Sequence, residues 1–343
     1  MKRNNLLIIA ACVVVATLVL VIVLATGTPH VTPPPVVAII YGSEKGDLSY
    51  TDSASRGLTD AQKTLNFIPV EYTPRNYHDI TGLLNGSAGP AAPAKPGLVV
   101  TVGFQYAGET KQLAAENPKV KFLAIDQTGI GSDNLRALEI TSYGDSYLAG
   151  VLAANASKTH KVGIILGMPT TLLEGFRQGF TDGVRAADQN VTIGSAYVQD
   201  TVDGFSDPVH AGEIASGMYN NGTDVIYAVA GYSGTGIIDE AKKGPGRYVI
   251  GVDSDQTYLG PSVVLASAMK RVDVAVRSGI DTFMSGSFTG GEQAVGLKEG
   301  MTELVFNPAF EKYNTTVQAW DVQAQDEELK YLAIRANGVS RTV

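Results

Sequence analysis

The chain begins with a long apolar segment and continues as short β-branched runs that alternate with helical ones. Residues 6–25 are apolar except for Thr17. A helix of this length spans about 30 Å at about 1.5 Å per residue, which matches the hydrocarbon layer of a membrane. Lys2 and Arg3 precede the segment, and positive charges in this position favour a cytoplasmic N-terminus. The pattern predicts an N-terminal transmembrane helix within residues 1–27, with the rest of the chain outside the cytoplasm.

Two other fates of this segment are compatible with the same residues. The run Ile-Ala-Ala-Cys that ends at Cys12 resembles the lipobox of bacterial lipoproteins, which would make Cys12 an acylated N-terminus. Cleavage near residue 25 would instead remove the segment as a signal peptide. All three alternatives place the remainder on the extracytoplasmic side of the cell membrane. Residues 28–35 contain four prolines and are predicted to form an extended linker.

From residue 36 the hydrophobic pattern is typical of βα units. Short runs rich in Val and Ile are followed by longer helical segments, which favours parallel strands joined by helices. Strands are predicted at residues 36–41, 70–72, 97–102, 120–126, 135–140, 161–166, 192–198, 225–230, 248–253 and 263–266. Helices are predicted at residues 53–65, 107–116, 146–156, 172–187, 208–220, 236–243 and 272–284.

Two successive series of these units predict an α/β fold with two Rossmann-like lobes, each built on a parallel sheet. We assign residues 36–141 and 266–306 to lobe 1, and residues 142–265 and 307–343 to lobe 2. Ligands of such sheets bind beyond the carboxyl ends of the strands. The expected site is therefore a cleft between the two lobes.

Composition and charge narrow the class of function. The 343 residues are 44% hydrophobic and 17% charged, with a net charge of −8 at pH 7. This apolar content argues against disorder, and an acidic chain without a basic cluster is unsuited to binding nucleic acid. The lone Cys12 excludes intrachain disulfides and a cysteine zinc site. The four histidines show no metal-ligand spacing, so we expect no metal and no cofactor.

Motifs of common enzymes are absent from the sequence. It contains no P-loop, no His-Glu-x-x-His and no Gly-x-Ser-x-Gly. The glycine-rich residues 231–236 follow a predicted strand, but their spacing departs from the dinucleotide-binding fingerprint. We interpret them as a tight turn that lies close to a ligand or to the facing lobe. The chain is therefore not expected to be an enzyme.

Polar and aromatic residues follow several of the predicted strands. Because the carboxyl ends of parallel strands meet at one edge of a sheet, these side chains should converge on the cleft. The segments are residues 46–53, 103–106, 204–208, 251–256 and 267–270.

Three motifs in these segments resemble motifs of a known protein family. They include Asp-x-Ser-Tyr-x-x-Ser from Asp47, Gly-Val-Asp-Ser-Asp-Gln from Gly251 and Ser-x-x-Lys-Arg-Val-Asp from Ser267. Over residues 36–307 the sequence resembles the basic membrane protein family, the nucleoside-binding substrate receptors of ABC importers. The resemblance implies a type I periplasmic-binding-protein fold with three crossovers. It also implies a purine or pyrimidine nucleoside as ligand, and an ABC permease with its ATPase as partners.

The resemblance also assigns roles to individual residues. Tyr50 and Phe205 match the aromatic positions that sandwich the base, and Asp253 matches the carboxylate that binds the ribose. Lys270 matches the polar contact that follows this carboxylate. Asp47 matches the polar residue of the first lobe that lies near the base.

Other interpretations of these residues remain open. Asp47 could cap the helix predicted near residue 53, and Phe104 could either contact the ligand or pack beneath the site. Asp253 lies in an acidic pair and needs a partner, which ligand hydroxyls or Lys270 would provide. Three departures from the family bear on base preference. Tyr50 stands where Phe is usual, and residues 51–52 read Thr-Asp where amide residues are common. Residues 107–109 read Ala-Gly-Glu where the family commonly has an Asp.

The leading hypothesis is an extracytoplasmic substrate-binding component of an ABC importer that binds a nucleoside, with purines favoured. A ligand-sensing ectodomain of the same fold with a different small-molecule ligand is an alternative. A nucleoside-processing enzyme is a third hypothesis, which the missing catalytic motifs disfavour.

Overall fold

The computed structural model describes residues 33–73, 77–85 and 95–336. The predicted transmembrane helix, the alternative lipid site at Cys12 and most of the predicted linker lie outside these residues. No helix within the described ranges is long and apolar enough to cross a membrane. The compact unit that carries the fold begins at Val36.

Strands and helices alternate along most of this unit. In the described ranges the strands are β1 (Val36–Ile40), β2 (Ile68–Tyr72), β3 (Leu98–Val102), β4 (Lys121–Ile125), β5 (Leu135–Ile140), β6 (Lys161–Leu166), β7 (Thr192–Tyr197), β8 (Val225–Val229), β9 (Tyr248–Asp253), β10 (Val264–Lys270), β11 (Gly291–Val295) and β12 (Thr302–Phe306). The helices are α1 (Tyr50–Gln62), α2 (Tyr77–Leu84), α3 (Ala107–Glu116), α4 (Tyr143–Ala156), α5 (Thr171–Ala187), α6 (Pro208–Asn220), α7 (Gly234–Ala241), α8 (Val272–Met284), α9 (Asn314–Gln318) and α10 (Asp321–Ala336).

The strands form two six-stranded sheets. The first has the order β11-β5-β4-β3-β1-β2 and is parallel throughout. The second has the order β12-β10-β9-β8-β6-β7, and β12 runs antiparallel to the others. The central strands are fully buried and rich in Val and Ile, as expected where helices cover both faces of a sheet. The prediction of two α/β lobes with parallel sheets is confirmed.

The chain crosses between the lobes at three places. It leaves the first sheet after β5, returns to it after β10 through α8, and passes from β11 to β12 in the second sheet. Helix α8 packs on α1 of lobe 1 so closely that a Cβ on Gly57 would lie 2.3 Å from the carbonyl oxygen of Asp273. This contact fixes the second crossover against lobe 1.

The predicted lobe boundaries at residues 266 and 306 are wrong. Strand β10 continues to Lys270 and pairs with β9, and β12 pairs with β10, so both strands belong to lobe 2. The predicted strand ends at residue 266 because Ser267 and Lys270 are polar, although both are buried. A buried polar residue interrupts the apolar run that marks a strand. Strand β11 was missed because its exposed edge position carries Glu292 and Gln293.

Candidate ligand-binding site

A cavity of about 310 Å³ lies between the lobes, within the range of small-ligand pockets. Its lobe 1 walls come from segments that follow β1, β3 and β4. Its lobe 2 walls come from the start of α5 and from segments that follow β7, β8, β9 and β10. The lining includes all six residues predicted from the sequence: Asp47, Tyr50, Phe104, Phe205, Asp253 and Lys270.

Asp47 organises the start of α1. Its carboxylate accepts the backbone N–H groups of Ser49 (3.0 Å), Thr51 (2.8 Å) and Asp52 (3.0 Å). These groups have no partner within the helix, so a carboxylate here acts as a cap. Helix α1 therefore begins at Tyr50, three residues before the predicted start. The capping interpretation of Asp47 is confirmed, and the cap holds Tyr50 at the cavity wall.

Asp253 is a buried carboxyl at the end of β9. It has a φ of 62°, and its Oδ2 accepts the hydroxyl of Ser49 at 2.7 Å from the opposite lobe. Burial raises its pKa from 3.8 to about 6, and the positive charge of Lys270 opposes this rise. Its Oδ1 has no hydrogen-bond partner among the described residues. Asp253 can therefore accept a hydroxyl from a ligand.

Asp126 completes the site and was not predicted. It follows β4 with a φ of 58°, and its Oδ1 accepts the backbone N–H of Ile140 at 3.0 Å. Its Oδ2 lies 2.6 Å from Lys270 Nζ and accepts the hydroxyl of Tyr50 at 2.8 Å. Lys270 thus pairs with Asp126, whereas from the sequence Lys270 was one of two possible partners of Asp253. Asp126 directly follows a predicted strand, as other site residues do, and this position could have identified it as a site residue.

Aromatic rings surround the ammonium group of Lys270. Its Nζ lies 5.7 Å from the centroid of the Tyr50 ring and 5.5 Å from that of Phe176, within the distance at which rings stabilise cations. Burial and the carboxylate of Asp126 raise the pKa of the Tyr50 phenol well above 10. Tyr50 is therefore neutral, and its hydroxyl donates to Asp126. Phe176 of α5 is buried and also lines the cavity.

Phe205 enters the cavity from lobe 2. Its ring lies over Gly167, where a Cβ would be 2.5 Å from the ring carbons. Gly231 also lies close to Phe205, has a φ of 55° and lines the cavity, which confirms the tight turn predicted there. Phe104 lies in lobe 1, is half-buried and lines the cavity.

Hydrogen bonds between the lobes hold one edge of the cleft together. Ser254 donates its hydroxyl to the carbonyl of Ser49 (2.9 Å) and accepts a hydrogen bond from Arg56 (3.0 Å). Gln256 donates to the carbonyl of Leu48 at 3.2 Å. The loop before α1 is thus held against the loop after β9, and the two lobes are in contact.

The chemistry of the cavity suits a neutral molecule. It offers flat aromatic faces, an ammonium group with one carboxylate partner, and a second carboxylate with a free oxygen. Among the described residues, no cluster of His, Cys, Asp and Glu could hold a metal ion. The arrangement can therefore stack a planar ring and hydrogen-bond hydroxyl groups.

Comparisons with known proteins agree with this geometry. Residues 35–334 match the model of the family described as ABC transporter substrate-binding protein PnrA-like. The chain is 34% identical over 282 residues to basic membrane protein D of Borreliella burgdorferi, covering 79% of each chain. It is 33% identical over 224 residues to the ABC transporter nucleoside-binding protein BmpA of Lactococcus lactis, covering 60% of this chain and 63% of that protein.

A solved structure shares the architecture. A solute-binding protein of an ABC transporter system from Aeropyrum pernix superposes with a TM-score of 0.71 at 28% identity. The superposition covers 84% of this chain and 81% of that one, and it confirms the type I periplasmic-binding-protein fold. These relatives are substrate-binding proteins and not enzymes, in agreement with the sequence prediction. The chain belongs to the PnrA-like family of ABC transporter substrate-binding proteins.

Proposed function

We propose that this chain is the extracytoplasmic binding component of an ABC importer and that it takes up a nucleoside, with purines preferred. The observation that carries the proposal is the arrangement of Asp253 in the cavity. Its Oδ1 has no hydrogen-bond partner in the part of the chain that the structure describes, Lys270 lies near it, and the rings of Tyr50 and Phe205 enter from opposite lobes.

This arrangement matches the two halves of a nucleoside. Aromatic faces stack on a base with about 1 to 3 kcal/mol per ring, and a carboxylate accepts strong hydrogen bonds from the ribose hydroxyls. The purine preference rests on area, because a two-ring base covers more of Tyr50 and Phe205 than a one-ring base does. Glu109, at the position of the family departure, does not line the cavity, so it makes no contact with the base.

The charge of the cavity favours nucleosides over nucleotides. Of the described residues that line it, five are acidic and only Lys270 is basic. Lys270 is already paired with Asp126. A phosphate group would therefore meet uncompensated negative charge at short range, which costs free energy in a poorly solvated site.

Membrane attachment and partners complete the proposal. The apolar residues 6–25, or a lipid on Cys12, would hold the chain at the outer face of the membrane. Ligand-induced closure of the two lobes would then present a defined surface to a permease with its ATPase.

Calorimetric titration of the purified protein tests this function. The panel is adenosine, inosine, guanosine, uridine, cytidine, ribose and AMP, preceded by native mass spectrometry to identify any ligand that co-purifies. We expect a Kd below about 1 µM for at least one purine nucleoside, with weaker binding of ribose and AMP.

Asp253→Asn should weaken nucleoside binding by about tenfold to a hundredfold. Asp255→Asn is the matched control, because among the described residues Asp255 accepts hydrogen bonds only from Thr257. Tight binding of a sugar without a base would favour a different ligand class.

A further inference from the structure

The two carboxylates deep in the cavity differ in how many protein donors they receive. Asp126 accepts from Lys270 (2.6 Å), Tyr50 (2.8 Å) and the backbone of Ile140 (3.0 Å). Asp253 accepts from Ser49 alone among the described residues, at 2.7 Å. The protein therefore satisfies one carboxylate and leaves the other short of donors.

The contacts of Asp126 leave little room for a ligand. An ionised carboxylate has about four acceptor positions, and both positions on Oδ2 are taken by Lys270 and Tyr50. The side chain of Asp126 is fully shielded, with 0% exposure. Burial beside Asp126 keeps the pKa of the Tyr50 phenol well above 10, so this donor is present at every physiological pH.

We propose that the Tyr50 hydroxyl determines ligand specificity by occupying Oδ2 of Asp126, so that ligand hydroxyls are recognised at Asp253 and not at Asp126. This inference rests on the proposed nucleoside-binding function. Asp126 then acts as a positioning residue that orients Lys270 and the Tyr50 ring. The ligand is then bound by Asp253, by the remaining ammonium protons of Lys270 and by the aromatic faces.

Removing the hydroxyl changes one donor and leaves the ring in place. Tyr50→Phe keeps the stacking face and keeps the ion pair between Lys270 and Asp126, so the charge of the site is unchanged. It leaves an oxygen-sized gap beside Oδ2 of Asp126. Because Tyr50 and Asp126 both line the cavity, this gap opens toward the ligand, and Oδ2 can accept one additional ligand hydroxyl.

The test compares a nucleoside with its own deoxy analogues. Calorimetry gives the Kd of the tightest nucleoside in the panel and of its 2′-, 3′- and 5′-deoxy forms, for the unmodified protein and for Tyr50→Phe. We expect the ratio of Kd values, deoxy form over parent, to rise by about tenfold at one position in Tyr50→Phe, because a charged acceptor is now exposed. The double variant Tyr50→Phe with Asp126→Asn should abolish this new sensitivity.

Equal changes for all four ligands, or no change in any ratio, would overturn the proposal. A second variant tests it without altering Tyr50. Asp126→Asn alone should weaken all four ligands by the same factor, since Asp126 does not touch the ligand, and a selective effect on one deoxy form would contradict this. Failure of the proposed function has a different signature, because the unmodified protein would then bind none of the nucleosides.

Discussion

Lys270 Nζ of lobe 2 lies 2.6 Å from Asp126 Oδ2 of lobe 1, and this buried ion pair joins the lobes at the base of the ligand cavity. Both side chains are at most 2% exposed. Two charges in such a place are stable only together, because either one alone would be an uncompensated charge in a poorly solvated interior. The pair therefore stabilises the contact between the two lobes, and it also sets the charge at the base of the cavity.

Breaking this pair should destabilise the protein strongly. Lys270→Met keeps most of the length of the side chain but removes the positive charge that pairs with Asp126, and we expect a loss of about 3 to 5 kcal/mol in the free energy of unfolding. Adding Asp126→Asn should recover part of that loss. Urea unfolding monitored by tryptophan fluorescence or circular dichroism measures both effects. Lys63→Met, which removes an exposed pair with Asp60, is the control and should lower the free energy of unfolding only slightly, because exposed ion pairs contribute little to stability. A loss that small for Lys270→Met would contradict the structural role of the pair.

Ligand affinity should fall at acid pH because of Asp253. Its pKa is raised to about 6 in the free protein, and ligand hydroxyls that donate to its carboxylate favour the ionised form, so binding lowers this pKa. Protons therefore compete with the ligand below about pH 6, while affinity is constant above pH 7. For inosine, which stays neutral in this range, we expect binding about tenfold weaker at pH 5 than at pH 7.5. Calorimetry at several pH values measures this, and the profile of Asp253→Asn should be flat over the same range.

Glu328 of α10 should make stability depend on pH. Its carboxylate accepts the backbone N–H groups of Gly144 and Leu297, each at 2.9 Å, close to the first and third crossovers. Burial raises its pKa from 4.5 to about 7 against the effect of these hydrogen bonds. The folded protein thus binds a proton that the unfolded chain releases, so this contribution to stability is greatest below pH 4.5 and is lost as the pH rises to about 7.

Replacing Glu328 isolates this contribution. Between pH 4.5 and 8 the native protein should lose about 1 to 3 kcal/mol more stability than Glu328→Gln does. Thermal and urea unfolding at both pH values measure the difference. Glu327→Gln, on the same helix and paired with Lys330, should retain the pH dependence of the native protein. Identical pH profiles for the native protein and Glu328→Gln would show that the carboxyl does not titrate in this way.

Asp47 should matter for stability more than for ligand choice. Asp47→Ala removes the acceptor of three N–H groups at the start of α1, and we expect a loss of about 1 to 2 kcal/mol in unfolding free energy. Because the cap positions Tyr50, nucleoside affinities should weaken together and keep their rank order. Asp133→Ala, at an exposed turn, is the control for stability. A change in rank order among purine and pyrimidine nucleosides would instead indicate direct contact between Asp47 and the base.

The two α/β lobes, and the sheet edge at which the ligand cavity lies, can be predicted from the pattern of residues alone. Strands such as β1 and β8 are short, β-branched and fully buried, and this pattern is local. The polar residues that follow the strands share one edge of a sheet by topology alone. For this reason the six residues predicted from the sequence all line the same cavity.

The pairing of these residues, in contrast, depends on contacts between distant parts of the chain. The positive φ of Asp126 and of Asp253 directs their side chains, and an Asp residue permits this conformation without requiring it. The pairing of Lys270 with Asp126, and of Asp253 with Ser49, joins residues more than 100 positions apart in different lobes. Such contacts depend on the crossovers that orient the lobes, and a local pattern carries no information about them. The same holds for β10. Its buried polar residues belong to a strand because β9 and β12 pair with it on either side, and these pairings cannot be seen in the local pattern.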